Sequence, residues 1–216
     1  MKKGFFVSFE GIDGSGKSTQ LSLLGKMLEE QGYPVLCIRE PGGTNIGEKI
    51  RSILLDKDSM EMSKETELLL FEAARAQIVR EIIFPALEEN KIVLCDRFFD
   101  ATVAYQGYAR GLHIGDIERL NLFASGNLEP DITFLLDFSS EEALKRRNNR
   151  CGEEDRVELA GKAFMEQVRD GYLQLAKNNQ RIAVVDANAS EKKQAEYIAD
   201  KFWEVIHETN HIYRTR

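Results

Sequence analysis

Eight residues near the amino terminus, Gly11-Ile12-Asp13-Gly14-Ser15-Gly16-Lys17-Ser18, have the types and the spacing to hold phosphate. They fit G-x-x-x-x-G-K-[ST]. Gly11, Gly14 and Gly16 let the backbone turn so that its N–H groups converge on an anion. A helix opening near Lys17 adds the positive end of its dipole. The Lys17 ammonium can reach β- and γ-phosphates, and the Ser18 hydroxyl can ligate Mg²⁺. Ile12, Asp13 and Ser15 fill the variable positions, and Thr19 completes the nucleotide-binding set. A glycine-rich turn with no ligand is the alternative, but it explains neither the lysine nor the serine at its offset. The loop points to a nucleoside triphosphate and leaves open what receives the phosphate.

Three other groups of residues bear on that question. Asp96-Arg97 follows the apolar run Ile92-Val93-Leu94-Cys95. An acid at the end of a strand in such a protein is the usual contact to Mg²⁺ or its water shell, and Arg97 could clamp a second phosphate; the other reading is a strand-end ion pair. Phe71 and Arg75, four apart on a helical pattern, share one face. They suit stacking on a base and bonding to its edge, but spacing alone favours core packing beside a solvated arginine, since apolar helix stripes are usually core. Arg146, Arg147, Arg150 and Arg156 crowd into eleven residues of an otherwise acidic chain. They read either as a solvated loop or as a lid, about residues 147–157, that brings positive charge to a transferring phosphoryl group. His113, His207 and His211 form no triad or metal pattern. Phosphoryl transfer to an acceptor that is already an anion needs no strong base, only positioning and charge neutralisation.

These residues must be held by a scaffold. Apolar runs at 5–9, 35–38, 92–95, 132–136 and 182–185 read as five buried strands. Helical patterns lie at 18–31, 46–55, 64–89, 139–147 (opened by a Ser139/Glu142 capping box), 164–177 and 192–207. Alternation of the two implies a parallel sheet covered on both faces, an α/β/α sandwich whose ligands sit at the carboxyl ends of the strands. With 216 residues, 43% of them hydrophobic, and no linker or repeat, the chain reads as one domain, residues 1–216. The net charge of −7 argues against a nucleic-acid or membrane binder. Cys37, Cys95 and Cys151 lack paired spacing, and Cys37 and Cys95 read as buried hydrophobes. No run is long enough to span a membrane, and the expected location is cytoplasmic.

Taken in order, Phe9-Glu10-Gly11, Arg39-Glu40-Pro41-Gly42-Gly43-Thr44, Phe71-Glu72-Ala73-Ala74-Arg75, Asp96-Arg97-Phe98, Ala104-Tyr105-Gln106-Gly107-Tyr108 and Asp155-Arg156-Val157-Glu158 resemble the bacterial thymidylate kinases. The resemblance implies a three-layer P-loop nucleoside-monophosphate-kinase fold with a five-stranded parallel sheet. It implies transfer of the γ-phosphoryl group of ATP to dTMP with Mg²⁺, in a homodimer. It also implies roles. Phe71 stacks on thymine while Arg75 and Gln106 read its polar edge, with Thr102 helping on that side. Arg51 and Arg97 grip the acceptor phosphate. Asp13 contacts the sugar 3′-hydroxyl or the metal-water shell, and Tyr105 lies against the sugar and disfavours a 2′-hydroxyl. Lys17, Arg97, Asp13 and Arg156 make up the catalytic set, with Arg150 toward ATP and Ser18 and Asp96 toward the metal. The arginine that one branch carries in the P-loop is Gly14 here, which resembles the branch that uses the lid. Ala101 replaces the usual serine, with Thr102 next, and Phe98 stands where tyrosine is common. Two other readings compete. The first is another nucleoside-monophosphate or deoxynucleoside kinase; a deoxynucleoside kinase would want a carboxylate base and would leave Arg51 and Arg97 without an acceptor phosphate. A P-loop switch protein would leave the base-side residues unexplained, and the chain has no N-K-x-D motif.

Overall fold

In a computed structural model, which describes residues 4–139, 141–143 and 156–208, all five expected strands form one parallel sheet. They are β1 (Phe5–Glu10), β2 (Val35–Arg39), β3 (Ile92–Asp96), β4 (Ile132–Asp137) and β5 (Ile182–Asp186), in the order β2-β3-β1-β4-β5. Strand β1 is central, with Phe9 opposite Asp96 of β3 and Glu10 opposite Leu135 of β4. Each strand runs one residue beyond its apolar pattern and ends on a charged group: Glu10, Arg39, Asp96, Asp137 or Asp186. That register gathers polar chemistry along one edge of an otherwise apolar sheet.

Side chains alternate across a strand, and the two faces have separate cores. Phe5, Val7 and Phe9 pack with Leu21, Leu24, Leu28, Ile198 and Phe202, drawn from α1 (Lys17–Glu30) and the last helix, α8 (Glu191–Glu208). Phe6, Val93 and Cys95 face the other way, onto Ile78, Val79, Ile83 and Leu87. Both faces are covered, which makes the fold the expected α/β/α sandwich around a five-stranded parallel sheet.

The helix expected over 64–89 is interrupted. Helix α3 (Lys64–Ile78) passes through a π-helical turn, Val79–Ile83, into α4 (Phe84–Glu88). Pro85 lies in the first turn of α4. It lacks an N–H and crowds the preceding turn, and a wider turn just before it relieves both. Helix α2 (Asn45–Leu55) is capped by Thr44, and α3 by Ser63. Three further helical stretches lie between β3 and β4: α5 (Phe99–Thr102), a π-helical segment, Val103–Ala109, and α6 (Ile114–Ser125). Helix α7 (Lys162–Asn178) packs along the Val103–Ala109 segment. Ser139 and Glu142 bond as expected at a helix start, the Glu142 N–H donating to Ser139 Oγ at 3.2 Å. Cys95 is buried, but Cys37 is exposed, because β2 is an edge strand with one side uncovered; Cys151 lies outside the described residues. Among the described residues, no helix is long and apolar enough to cross a membrane.

Candidate active site

Two adjoining cavities open along the carboxyl edge of the sheet. The first is the phosphate end, lined by Asp13, Gly14, Gly16, Lys17, Ser18 and Thr19 from the loop, and by Arg39, Arg51, Asp96 and Arg97. The loop folds as its glycines require. Gly11, Gly14 and Gly16 all have positive φ. A β-carbon on Gly11 would lie 2.5 Å from the Leu136 carbonyl oxygen, so the close approach of loop to β4 admits only glycine. At Gly14, φ is +85° and the Ala143 carbonyl oxygen would lie 3.3 Å from a β-carbon, so an arginine there would be strained.

Lys17 is buried and donates to the Ile12 carbonyl at 3.0 Å, within 3.9 Å of Asp13. Burial, then the neighbouring Arg97, bring its pKa down to about 8 against the pull of Asp13, Asp96 and Glu10. Ser18 Oγ donates to Asp96 Oδ2 at 2.5 Å. A hydroxyl and a carboxylate side by side at the cavity wall are oxygen ligands suited to a hard divalent cation.

The walls of the two cavities meet at Asp13, Glu40, Arg51 and Arg97, which line both. Arg97 is a non-glycine residue with φ +70°, a costly conformation of the kind that persists where surrounding bonds enforce it. Those bonds are present. The Arg97 N–H donates to the Phe9 carbonyl at 2.9 Å, and the next N–H, of Phe98, donates to Glu10 at 2.6 Å. The Arg97 guanidinium then crosses the sheet edge to Asp13 Oδ1 at 2.8 Å and to the Tyr172 hydroxyl at 3.1 Å, over the Tyr105 ring. Tyr172 in turn donates to Glu10 at 2.8 Å. Glu10 thus fixes both the kinked backbone of Arg97 and, through Tyr172, its guanidinium. Burial, reinforced by Asp100, lifts the Glu10 pKa to about 7 despite Arg97, Phe98 and Tyr172. Arg51 donates to the Pro41 carbonyl at 2.9 Å, beyond the cis Glu40–Pro41 bond.

The second cavity is the base end, lined by Phe71, Arg75, Phe98, Ala101, Thr102, Tyr105 and Gln106 among others. Arg75 is one of the largest fully buried side chains. Its Nε donates to Glu40 at 2.9 Å, one NH group to Glu72 at 2.7 Å and Asn121 at 2.8 Å, and the other to Thr102 Oγ1 at 2.9 Å. Burial opposes its charge, but Glu72 and Glu40 outweigh that and hold it firmly protonated. Four of the five guanidinium N–H bonds are therefore committed. The Gln106 amide nitrogen donates to Glu67 at 2.8 Å, which leaves its carbonyl oxygen for the cavity. The buried Tyr105 hydroxyl has no partner among the described residues. Ala101 carries no hydroxyl to the wall, and Thr102 Oγ1 is the one that meets Arg75. Phe98, fully buried, packs edge-on against Phe6 and beneath the Arg75 guanidinium.

Lys17, Ser18, Thr19, Asp13, Asp96 and Arg97 thus gather at the phosphate end, and Phe71, Arg75, Thr102, Tyr105 and Gln106 at the base end, with Arg51 at the junction. Arg150, and with it Arg147, falls outside the described residues. Arg156 is not among the residues lining the phosphate cavity. It lines neither of the two cavities and is buried behind the base end, its Nε donating to the Leu54 carbonyl at 2.9 Å and its NH2 to Glu67 at 2.5 Å, a desolvated carboxylate whose charge it compensates. Sequence reasoning missed Glu67, Glu72, Asn121, Tyr172 and the structural part of Glu40. Glu67 had a signal: Glu67, Phe71 and Arg75 recur every fourth residue on one stripe of α3. Asn121 and Tyr172 had none, since they meet the site only through tertiary packing.

The family model described as thymidylate kinase matches residues 9–198. The thymidylate kinase of Thermoanaerobacter sp. (strain X514) is 52% identical over 175 residues, which is 81% of this chain and 85% of that protein. That of Pelotomaculum thermopropionicum is 47% identical over 208 residues, 93% of this chain and 96% of that one. The crystal structure of thymidylate kinase from Ehrlichia chaffeensis superposes with a TM-score of 0.73 at 35% identity, covering 92% of this chain and 98% of that one. With the family match spanning most of its length, and a P-loop cavity joined by two arginines to a base-sized one, this chain belongs to the thymidylate kinase family.

Proposed function

We propose that residues 1–216 act as one kinase domain that moves the γ-phosphoryl group of ATP to dTMP, giving ADP and dTDP, and that each end of the site has its own task. The observation that carries this reading is the shared wall, where Asp13, Arg51 and Arg97 line both cavities. In the reaction a phosphate oxygen of dTMP forms a bond to the γ-phosphorus as the bond from that phosphorus to the β,γ-bridging oxygen breaks. The dTMP phosphate is already anionic, so the protein supplies orientation and charge rather than a base. Arg51 and Arg97 hold the acceptor phosphate. Lys17 and the loop N–H groups hold the donor phosphates, and their charge favours the ammonium form of Lys17. Arg150 is assigned to the ATP side. Ser18 and Asp96 would hold Mg²⁺, which supplies charge neutralisation to the phosphates when bound.

At the other end, thymine presents a ring N–H beside a carbonyl. The Gln106 carbonyl oxygen accepts from the first and the uncommitted N–H of Arg75 donates to the second, over the Phe71 ring. Cytosine, with an acceptor beside an amino group, mismatches both. Tyr105, on the same cavity wall as Asp13, lies against the sugar and disfavours a 2′-hydroxyl. A coupled ADP-release assay with dTMP, dUMP, dCMP and AMP tests the reading: kcat/KM should be highest for dTMP. Better turnover of AMP or dCMP would refute it.

The reading also includes a cytoplasmic location and a homodimer. Exposed Ile46 and Ile53 on α2, Leu69 on α3, and Leu122 and Phe123 on α6 lie on helices that pack in series, α2 on α3 and α3 on α6. Such a run of exposed apolar groups suits a second copy. Light scattering should give a dimer that Phe123→Glu weakens; a monomeric parent protein would count against it.

A further inference from the structure

We propose that Glu67, which contacts no substrate in the reading above, selects the acceptor base by fixing which end of the Gln106 amide faces the cavity. A glutamine side chain can present either a donor or an acceptor, and the two ends have nearly the same shape. A carboxylate can only accept. Glu67 Oε1 takes the Gln106 amide N–H at 2.8 Å, so the carbonyl oxygen is turned to the base. A neutral group at position 67 would leave the amide free to turn over and offer an N–H, the partner that a 4-aminopyrimidine requires.

Glu67 is built to stay an acceptor. It is 1% exposed, yet three donors beyond Gln106 meet it: Arg110 through Nε and NH2, each at 3.2 Å, and Arg156 through NH2 at 2.5 Å. Burial alone would raise its pKa, but the bonds from Gln106, Arg110 and Arg156 overcome it and keep the carboxylate ionised. Its place on α3 gives this consequence. Glu67–Gln106 and Arg75–Thr102 are two rungs between α3 and the segment following β3, with Phe71 between them. Each rung holds one of the two groups that read the pyrimidine. Arg156 buttresses the first rung and ties it to the end of α2 through the Leu54 carbonyl.

The inference rests on the thymine reading, and the test separates the two. Turnover of dTMP is compared with that of 5-methyl-dCMP, which differs from it only at the edge in question. Glu67→Gln should lower kcat/KM for dTMP by about tenfold, mainly through KM, and narrow the preference for dTMP over 5-methyl-dCMP by roughly tenfold or more. A parallel loss for both acceptors, with the preference intact, would overturn the role of Glu67, since a merely structural residue affects both alike. Gln106→Leu checks the reading beneath it: an unchanged preference in that variant would overturn the base assignment and with it the proposal. Should Glu67→Gln fail to fold, the double substitution Glu67→Gln/Arg156→Gln neutralises the buried pair together and puts the same question to the same two acceptors.

Discussion

The two ends of the site hold anions and bases by opposite means. The donor side of the phosphate end is mostly backbone: three positive-φ glycines, the start of α1 and one lysine, all within eight consecutive residues, with Arg39, Arg51, Asp96 and Arg97 reaching the cavity from elsewhere. The base end is almost wholly side chain. Arg75, Glu40, Glu72, Asn121, Thr102, Gln106, Glu67, Arg110 and Arg156 come from five separate stretches of chain and close two hydrogen-bonded clusters, one around Arg75 and one around Glu67. A backbone cradle accepts any phosphate, so it gives affinity for the donor without choosing the acceptor. A desolvated side-chain network is rigid and exacting, because every misplaced partner leaves a buried polar group unpaired. Chemistry belongs to the first region and choice to the second, and Arg97 sits where they meet.

This division can be broken from either side. The largest effect is expected at the phosphate end. Lys17→Ala should lower kcat by on the order of 10²–10³-fold while the KM for dTMP changes little, as steady-state kinetics would record. Arg156→Ala gives an intermediate effect and sharpens the comparison. The lid expectation has it lowering kcat at constant dTMP affinity. Its pairing with Glu67 predicts the reverse, a KM for dTMP raised about tenfold with the smaller change in kcat. The smallest effect concerns Glu10, whose pKa rises from 4.5 to about 7 on burial. The folded state then keeps a proton that the unfolded chain releases, so this group's contribution to stability is full below pH 4.5 and lost as pH rises through about 7. Glu10→Gln removes that loss. Its Tm relative to the parent should climb across this window, and a gap that stays constant with pH would contradict the assignment.

The same contrast explains how much the sequence disclosed. The phosphate end was legible because its spacing is local: Gly11 to Ser18, the strand before and the helix after are contiguous, and Asp96 announces itself at a strand end. All five strands were legible as apolar runs bounded by polar residues. Helix 64–89 was seen whole because its apolar periodicity continues through Pro85, and only the backbone reveals the π-helical turn that makes this possible. The helices after β3 were not anticipated. Gly107, Gly111 and a widened π-helical segment disturb the period there, while tertiary packing, of the π-helical segment against α7 and of α6 against α3, stabilises them. The buried pairing of Arg156 was not legible, because an arginine in a polar run carries no mark of its partner. That partner, Glu67, lies 89 residues away.

The division of labour is tested most directly by titrating dTMP calorimetrically, without ATP, into Lys17→Ala and Gln106→Leu proteins. The account predicts a Kd within about twofold of the parent for Lys17→Ala and about tenfold weaker for Gln106→Leu, as the loss of one buried hydrogen bond implies. A lysine variant that no longer binds dTMP, beside a Gln106 variant that binds it normally, would contradict it.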